Sequence, residues 1–207
     1  GARPDGFTLP PFDFTLDVVV LDGTGRPGVN FRSWRRSWSP LADGKLQITY
    51  KGGLSVSTPA RLVSMSDVKR EPTGPRLIPC TVSGRSLAGV WSATPARFTG
   101  TARVVVGGDV APSVRLVWDG RASSFTLPTG QSVTLPAMTT PSSRLINLDR
   151  GMQGCVTTPD GVVDGAVWSR LRGSVFGVTL APHTPSAWVL GPGLTLEVTP
   201  RYLSPWR

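Results

Sequence analysis

Alternation of apolar and polar residues is the sequence feature that most constrains the fold of this chain. From Phe12 to Val20 every second residue is apolar, and Asp13, Thr15 and Asp17 lie between them. A period of two residues places the apolar side chains on one face of a β-strand. The sequence therefore predicts many strands, because similar alternation recurs in segments 45–50, 101–106, 113–118, 123–127, 131–135, 144–148, 164–171, 174–180 and 194–199.

Glycine and proline separate these segments and limit the helix content. The 207 residues include 24 glycines and 20 prolines, a composition that disfavours long helices. Short strands joined by frequent turns are typical of a β-sandwich. We therefore predict an all-β fold, a single β-sandwich domain of the immunoglobulin-like or jelly-roll type over residues 1–207. Helix is expected only as one turn at residues 64–71.

The two cysteines suggest a disulfide. An even cysteine count in a chain of secreted-like composition favours pairing of Cys80 with Cys155. Closing a loop of this length would stabilise the fold by about 4–5 kcal/mol in the entropy model. Two unpaired buried thiols are the alternative, which a count of two leaves open.

Residues suited to catalysis or metal binding are scarce. The single histidine, His183, lies in a proline-flanked loop, and one histidine with two cysteines is too few for a zinc site. The sequence around Ser86 resembles a nucleophile elbow, but no helical pattern follows it. Asp160 and Asp164 could form a glycosidase pair, although surface turns account better for both. We expect no enzymatic activity, no metal and no cofactor.

The stretch NFRSWRRSWSP, residues 30–40, combines three arginines and two tryptophans without an acidic residue. Read as a strand, it places Arg32, Trp34, Arg36 and Trp38 on one face about 7 Å apart. Guanidinium groups at that spacing can stack on the indoles, while Phe31 faces inward.

Two interpretations of this stretch remain open. The tryptophans form part of a structural ladder or fold toward a core, or the stretch forms a recognition surface for an acidic ligand. The predicted ligand-binding residues are Arg32, Trp34, Arg35, Arg36 and Trp38. The other tryptophans within or beside strand-like segments are expected in the core: Trp91, Trp118, Trp168 and Trp188.

Positive charge supports the recognition hypothesis. The net charge is +9 at pH 7, almost all of it from arginine. A positive surface attracts polyanions such as sulfated or sialylated glycans. Arginine-rich composition also arises in GC-rich genomes, which leaves a second explanation open.

Taken together, these features resemble the receptor-binding domain of chaperone–usher fimbrial tip adhesins. The resemblance is architectural, and the arginine-rich, lysine-poor composition suits the Bordetella-type members. It implies an extracellular domain at a bacterial pilus tip that binds a host glycan, glycosaminoglycan or matrix ligand beside other pilus subunits, without membrane insertion. Pro200 and Tyr202 depart from the terminal strand of pilin domains, which implies the binding domain rather than a subunit that receives a donor strand.

The alternative function is that of a structural shell or coat protein of the jelly-roll type, which assembles and contacts nucleic acid. Such proteins usually concentrate arginine in a terminal arm. Here the first nine residues contain only Arg3. Contact with nucleic acid is therefore not expected under the adhesin interpretation.

Overall fold

The computed structural model describes residues 9–21, 29–66, 77–152, 154–175 and 177–206. Strands dominate this part of the chain and form antiparallel sheets, which confirms the predicted all-β sandwich class. The helices are α1 (Val29–Arg36) and α2 (Gly165–Leu171). The strands are β1 (Phe12–Leu21), β2 (Gly44–Thr49), β3 (Ser55–Met65), β4 (Leu77–Ser86), β5 (Trp91–Ala93), β6 (Ala96–Phe98), β7 (Thr101–Val104), β8 (Val110–Trp118), β9 (Ser123–Thr126), β10 (Ser132–Leu135), β11 (Arg144–Asn147), β12 (Val156–Thr157), β13 (Ser186–Leu190) and β14 (Leu194–Tyr202).

The described chain divides into two compact units. The first ends at Trp91 and the second begins at Ser92. Compact units within one chain need not unfold separately, so the single domain over residues 1–207 stays a prediction.

The first unit is built on four antiparallel strands. β4 pairs with β1 on one side and with the second half of β3 on the other, while the first half of β3 pairs with β2. Along β1 the side chains alternate between half-buried and exposed, as the sequence predicts. The buried residues of this unit include Val56, Val82 and Trp91, and the Trp91 ring stacks on Phe12 at a centroid distance of 5.7 Å.

The second unit is a two-sheet sandwich. Strands β6, β14, β8, β11 and β12 form one sheet in that order, and β10, β9, β13 and β7 form the other. Inward side chains from both sheets build one hydrophobic core, in which Leu116, Leu196, Trp118, Phe125 and Trp188 are almost fully buried. The core prediction is confirmed for the four tryptophans, because Trp91, Trp118 and Trp188 are buried and the half-buried Trp168 packs against the core of the second unit.

Three further predictions of secondary structure are not confirmed. The strand predicted for residues 164–171 is wrong, and the other two predictions fall partly on residues that the structure does not describe. Segment 164–171 is helix α2, because Asp164 caps it by accepting the Val167 N–H. In segment 174–180, of which residue 176 lies outside the described part of the chain, Val178 forms an isolated bridge with Asp149. In segment 64–71 the first two residues belong to β3, and residues 67–71 lie outside the described part of the chain.

Candidate functional site

The arginine- and tryptophan-rich stretch forms a helix, so the strand prediction for residues 30–38 is wrong. α1 spans Val29–Arg36, and Ser37 and Trp38 follow as a tightened last turn. The signal that indicates a helix is the spacing of Phe31, Trp34 and Trp38 by three and then four residues. These side chains therefore lie on one helical face.

The aromatic face of α1 packs against β1. The Trp34 ring lies between Phe31 and Trp38, with centroid distances of 6.3 and 6.1 Å. Trp38 in turn lies 6.3 Å from Phe14 of β1. All four rings are half-buried. The tryptophans thus hold the helix on the sheet, which is the structural interpretation of the stretch.

The arginines of α1 lie beside the aromatic face, on the exposed part of the helix. Arg32, Arg35 and Arg36 are exposed, and none forms an ion pair with the residues that the structure describes. The predicted stacking of arginine on indole is not formed within this part of the chain. The structure therefore separates the five predicted ligand-binding residues into an inward aromatic pair and an outward arginine group, and binding by these five residues stays a prediction.

The cysteines are free in the structure, in contrast to the predicted disulfide. Cys80 is buried on β4, with its Sγ 3.8 Å from the Ser66 Oγ. Cys155 is half-buried just before β12 and belongs to the second unit. The structure thus shows the two unpaired thiols that the cysteine count leaves open as an alternative.

The residues considered for catalysis have structural contacts. Ser86 is fully buried at the end of β4, and its hydroxyl lies 2.6 Å from that of Thr58. The His183 backbone N–H donates to Val106 O at 2.8 Å, and the ring Nε2 lies 3.1 Å from Gly108 O. Asp164 caps α2 and accepts a 2.7 Å hydrogen bond from Arg144.

The pKa values of the two candidate carboxyls shift in the same direction. The Val167 N–H and then the Arg144 guanidinium lower the pKa of Asp164 below its usual value. The Thr158 hydroxyl lowers the pKa of Asp160. Neither shift is the raised pKa expected of the acid in a glycosidase pair.

A charged cluster on the second unit was not predicted from the sequence. Glu197 of β14 is 1% exposed, and it lies directly opposite Arg97 of β6 and Arg115 of β8. Its two carboxylate oxygens accept separately from the two guanidinium groups, at 2.8 Å from Arg97 and at 2.5 Å from Arg115. These partners lie 100 and 82 residues away along the chain, so no local pattern could have revealed the cluster.

A groove of about 660 Å³ lies at one end of the second unit. It is lined by the turn Gly191–Gly193 and by Asp119, Val117 and Ser143, among others. Gly193 has a φ of 76°, and a Cβ there would lie 2.5 Å from the Asp119 carboxylate. Its lining offers one carboxylate and neutral groups, which do not identify a ligand.

Within the described ranges, no group of three or more histidine, cysteine, aspartate or glutamate side chains is arranged to hold a metal ion. No helix in the same residues has the length and apolar character needed to cross a membrane.

Comparison with known proteins shows similarity to two solved phage structures. No protein-family model and no curated protein matches the chain. Among solved structures, it is similar to the SPP1 Dit protein (gp 19.1), described as a paradigm of the hub adsorption apparatus in phages that infect Gram-positive bacteria. The TM-score is 0.59 at 12% identity, over 94% of this chain and 80% of that protein. The phage P2 baseplate in its activated conformation with Ca also matches, with a TM-score of 0.44 at 10% identity over 96% of this chain and 84% of that one.

The match to SPP1 Dit corrects the adhesin interpretation. The resemblance to fimbrial tip adhesins is wrong, as are the host-glycan ligand, the pilus partners and the location at a fimbrial tip. The error has a physical origin: short strands, frequent turns and positive charge describe many β-sandwiches and select none of their functions. What the comparison establishes for this chain is a fold shared with a phage hub protein.

Proposed function

We propose that this protein is a non-enzymatic structural subunit of a phage virion, in the hub of its adsorption apparatus. The observation that carries the proposal is the likeness to SPP1 Dit, which extends over 94% of the chain. A match of that extent covers both compact units, whereas a match to a common β-sandwich alone would cover only one of them. The proposal also develops the structural shell alternative predicted from the sequence.

The contacts of the polar residues agree with an assembly role. Ser86, the serine of the elbow-like sequence, is buried against Thr58, and Asp164 holds Arg144 and the start of α2. Glu197 lies beneath two arginines. These groups stabilise the fold, which leaves the outer surface to bind other subunits.

Immunogold electron microscopy tests the location. Antibodies raised against the purified chain are applied to phage particles from the strain that carries its coding sequence. We expect gold at one end of the tail, where an adsorption apparatus lies. Antibodies first absorbed with the purified chain provide the control. Gold on the capsid, or on bacterial fimbriae with bare phage tails, would contradict the proposal.

A further inference from the structure

We propose that Arg32, Arg35 and Arg36 of α1, here called the arginine face, form a docking surface for an acidic segment of another protein. The inference rests on the proposed function, since a hub subunit binds neighbouring proteins. The three side chains are exposed and lie at positions i, i+3 and i+4 of one helix. Residues at that spacing are neighbours on the helix surface, about 5–6 Å apart.

The helix that carries the arginine face is firmly attached to the sheet. Phe31, Trp34 and Trp38 pack beneath it, with Phe14 of β1 completing the aromatic contact. The Asn30 side-chain amide donates to Leu21 O at 2.8 Å and ties the start of the helix to the end of β1. A partner would therefore meet guanidinium groups on a preorganised support, which lowers the entropy lost on binding.

Local stability accounts for only part of the arginine face. Arg35 and Arg36 lie in the last turn, where the helix dipole favours positive charge. Arg32 is the fourth of the eight helical residues, where the dipole gives a cation little support. Three like charges on neighbouring positions also repel one another. An anion that lies against this face would relieve that repulsion.

Within the described residues, nearly all of the carboxylates that could neutralise this face already have a partner. Six of them form ion pairs with arginines elsewhere: Asp13, Asp43, Asp119, Asp149, Asp164 and Glu197. Asp17 accepts from the Thr81 hydroxyl and Asp109 from the Leu203 N–H. Among those residues, a second copy of this chain could offer these carboxylates only by giving up an existing contact, which favours a different protein as the partner.

The size of the arginine face favours a protein over a nucleic acid. Carboxylates pair with guanidinium groups through two parallel hydrogen bonds, and three such pairs match a short acidic segment. A protein that binds nucleic acid gains most of its affinity from many contacts between basic side chains and phosphates along an extended positive surface. A compact group of three arginines on little more than one helical turn provides few of these. We infer a segment with several glutamate or aspartate residues within two turns of a helix or a short loop.

A binding experiment with a designed probe tests this inference. The probe is a fluorescent fourteen-residue helical peptide with glutamate at positions i, i+3 and i+4, about the length needed for a stable isolated helix. Its control peptide has glutamine in their place. The test variant is Arg32→Gln, Arg35→Gln and Arg36→Gln together. The matched control variant, Arg103→Gln, Arg150→Gln and Arg172→Gln, removes the same charge from exposed residues of the second unit.

We expect the purified protein to bind the glutamate peptide and not the glutamine peptide in fluorescence anisotropy at low salt. The α1 variant should weaken binding by about tenfold, which is about 1.4 kcal/mol and corresponds to roughly 0.5 kcal/mol for each of the three exposed ion pairs lost. The control variant should change it less than about twofold. Far-UV circular dichroism and melting temperature confirm that both variants are folded.

Three outcomes would overturn the inference. The first is that the unmodified protein does not bind the glutamate peptide. The second is that the α1 variant and the control variant lose the same amount of binding, which would show that the peptide is attracted by net charge alone. A duplex DNA of twenty base pairs that binds more tightly than the peptide, with the same dependence on the arginine face, would assign the surface to nucleic acid. Because this test uses the isolated protein, its failure would leave the tail location from immunogold labelling unaffected.

Discussion

Glu197 shows how single residues stabilise the outer face of the second unit. Its carboxylate is almost fully buried, whereas the side chains of Arg97 and Arg115 are 71% and 45% exposed. Replacing Glu197 with Gln leaves two neighbouring guanidinium groups without their shared anion. We expect a loss of about 1–3 kcal/mol in the free energy of unfolding, measured in urea.

Arg97→Gln is the matched control for Glu197→Gln. Since the Arg97 side chain is largely exposed, water replaces its contact and the expected loss is below about 1 kcal/mol. Equal losses in the two variants would show that burial of the carboxylate contributes nothing beyond an ordinary surface pair.

Asp164 should make stability depend on pH in the acid range. The Val167 N–H and the Arg144 guanidinium lower its pKa in the folded protein below 3.8, the value of an unperturbed aspartate. The stabilisation is therefore fully present above about pH 4 and is lost as the pH falls through the lowered pKa. Asp164→Asn keeps a capping side chain and removes the titration. We expect the urea midpoint of the variant to fall less between pH 5 and pH 2 than that of the unmodified protein, and parallel profiles would contradict the assignment.

The aromatic attachment of α1 gives a prediction for the first unit. Trp34 contacts both Phe31 and Trp38, so Trp34→Ala removes the centre of the cluster. For a half-buried tryptophan we expect a loss of about 2 kcal/mol, near half of that for a fully buried one. Arg35→Ala on the exposed side should change stability by less than about 0.5 kcal/mol. Thermal melting distinguishes the two, and comparable losses would mean that the rings do not hold the helix on the sheet.

The helices and strands show which patterns the sequence alone can resolve. β1 was predictable because one of its faces is half-buried and the other exposed along its whole length. α1 was misread because Trp34 and Trp38 are four residues apart, a spacing that fits both a strand and a helix. Only Phe31, three residues before Trp34, distinguishes them.

Features that depend on pairing between strands far apart along the chain could not be predicted from the sequence alone. β3 and β4 are regular strands, but a bulge between Leu62 and Ser64 shifts their register and interrupts the alternation. The pairing of Glu197 with two distant arginines likewise depends on strand order. The local run of arginines and tryptophans in residues 30–40 indicates Arg32, Arg35 and Arg36 together with Trp34 and Trp38. Only the helix separates the arginines from the tryptophans.

The division into two compact units makes the cooperativity of the whole chain testable. Leu116 is fully buried at the centre of the second unit's core, and replacing it with Ala should cost about 2–5 kcal/mol. Hydrogen exchange with mass spectrometry then reports on each unit separately. If residues 1–207 form one domain, the backbone amides around Val82 in the first unit lose protection together with those around Val198 in the second. The single-domain prediction implies that both regions lose amide protection together. Val82→Ala provides the reciprocal variant, because Val82 is equally buried in the first unit. A loss of protection that Leu116→Ala confines to residues 92–206 would show that the two units unfold independently.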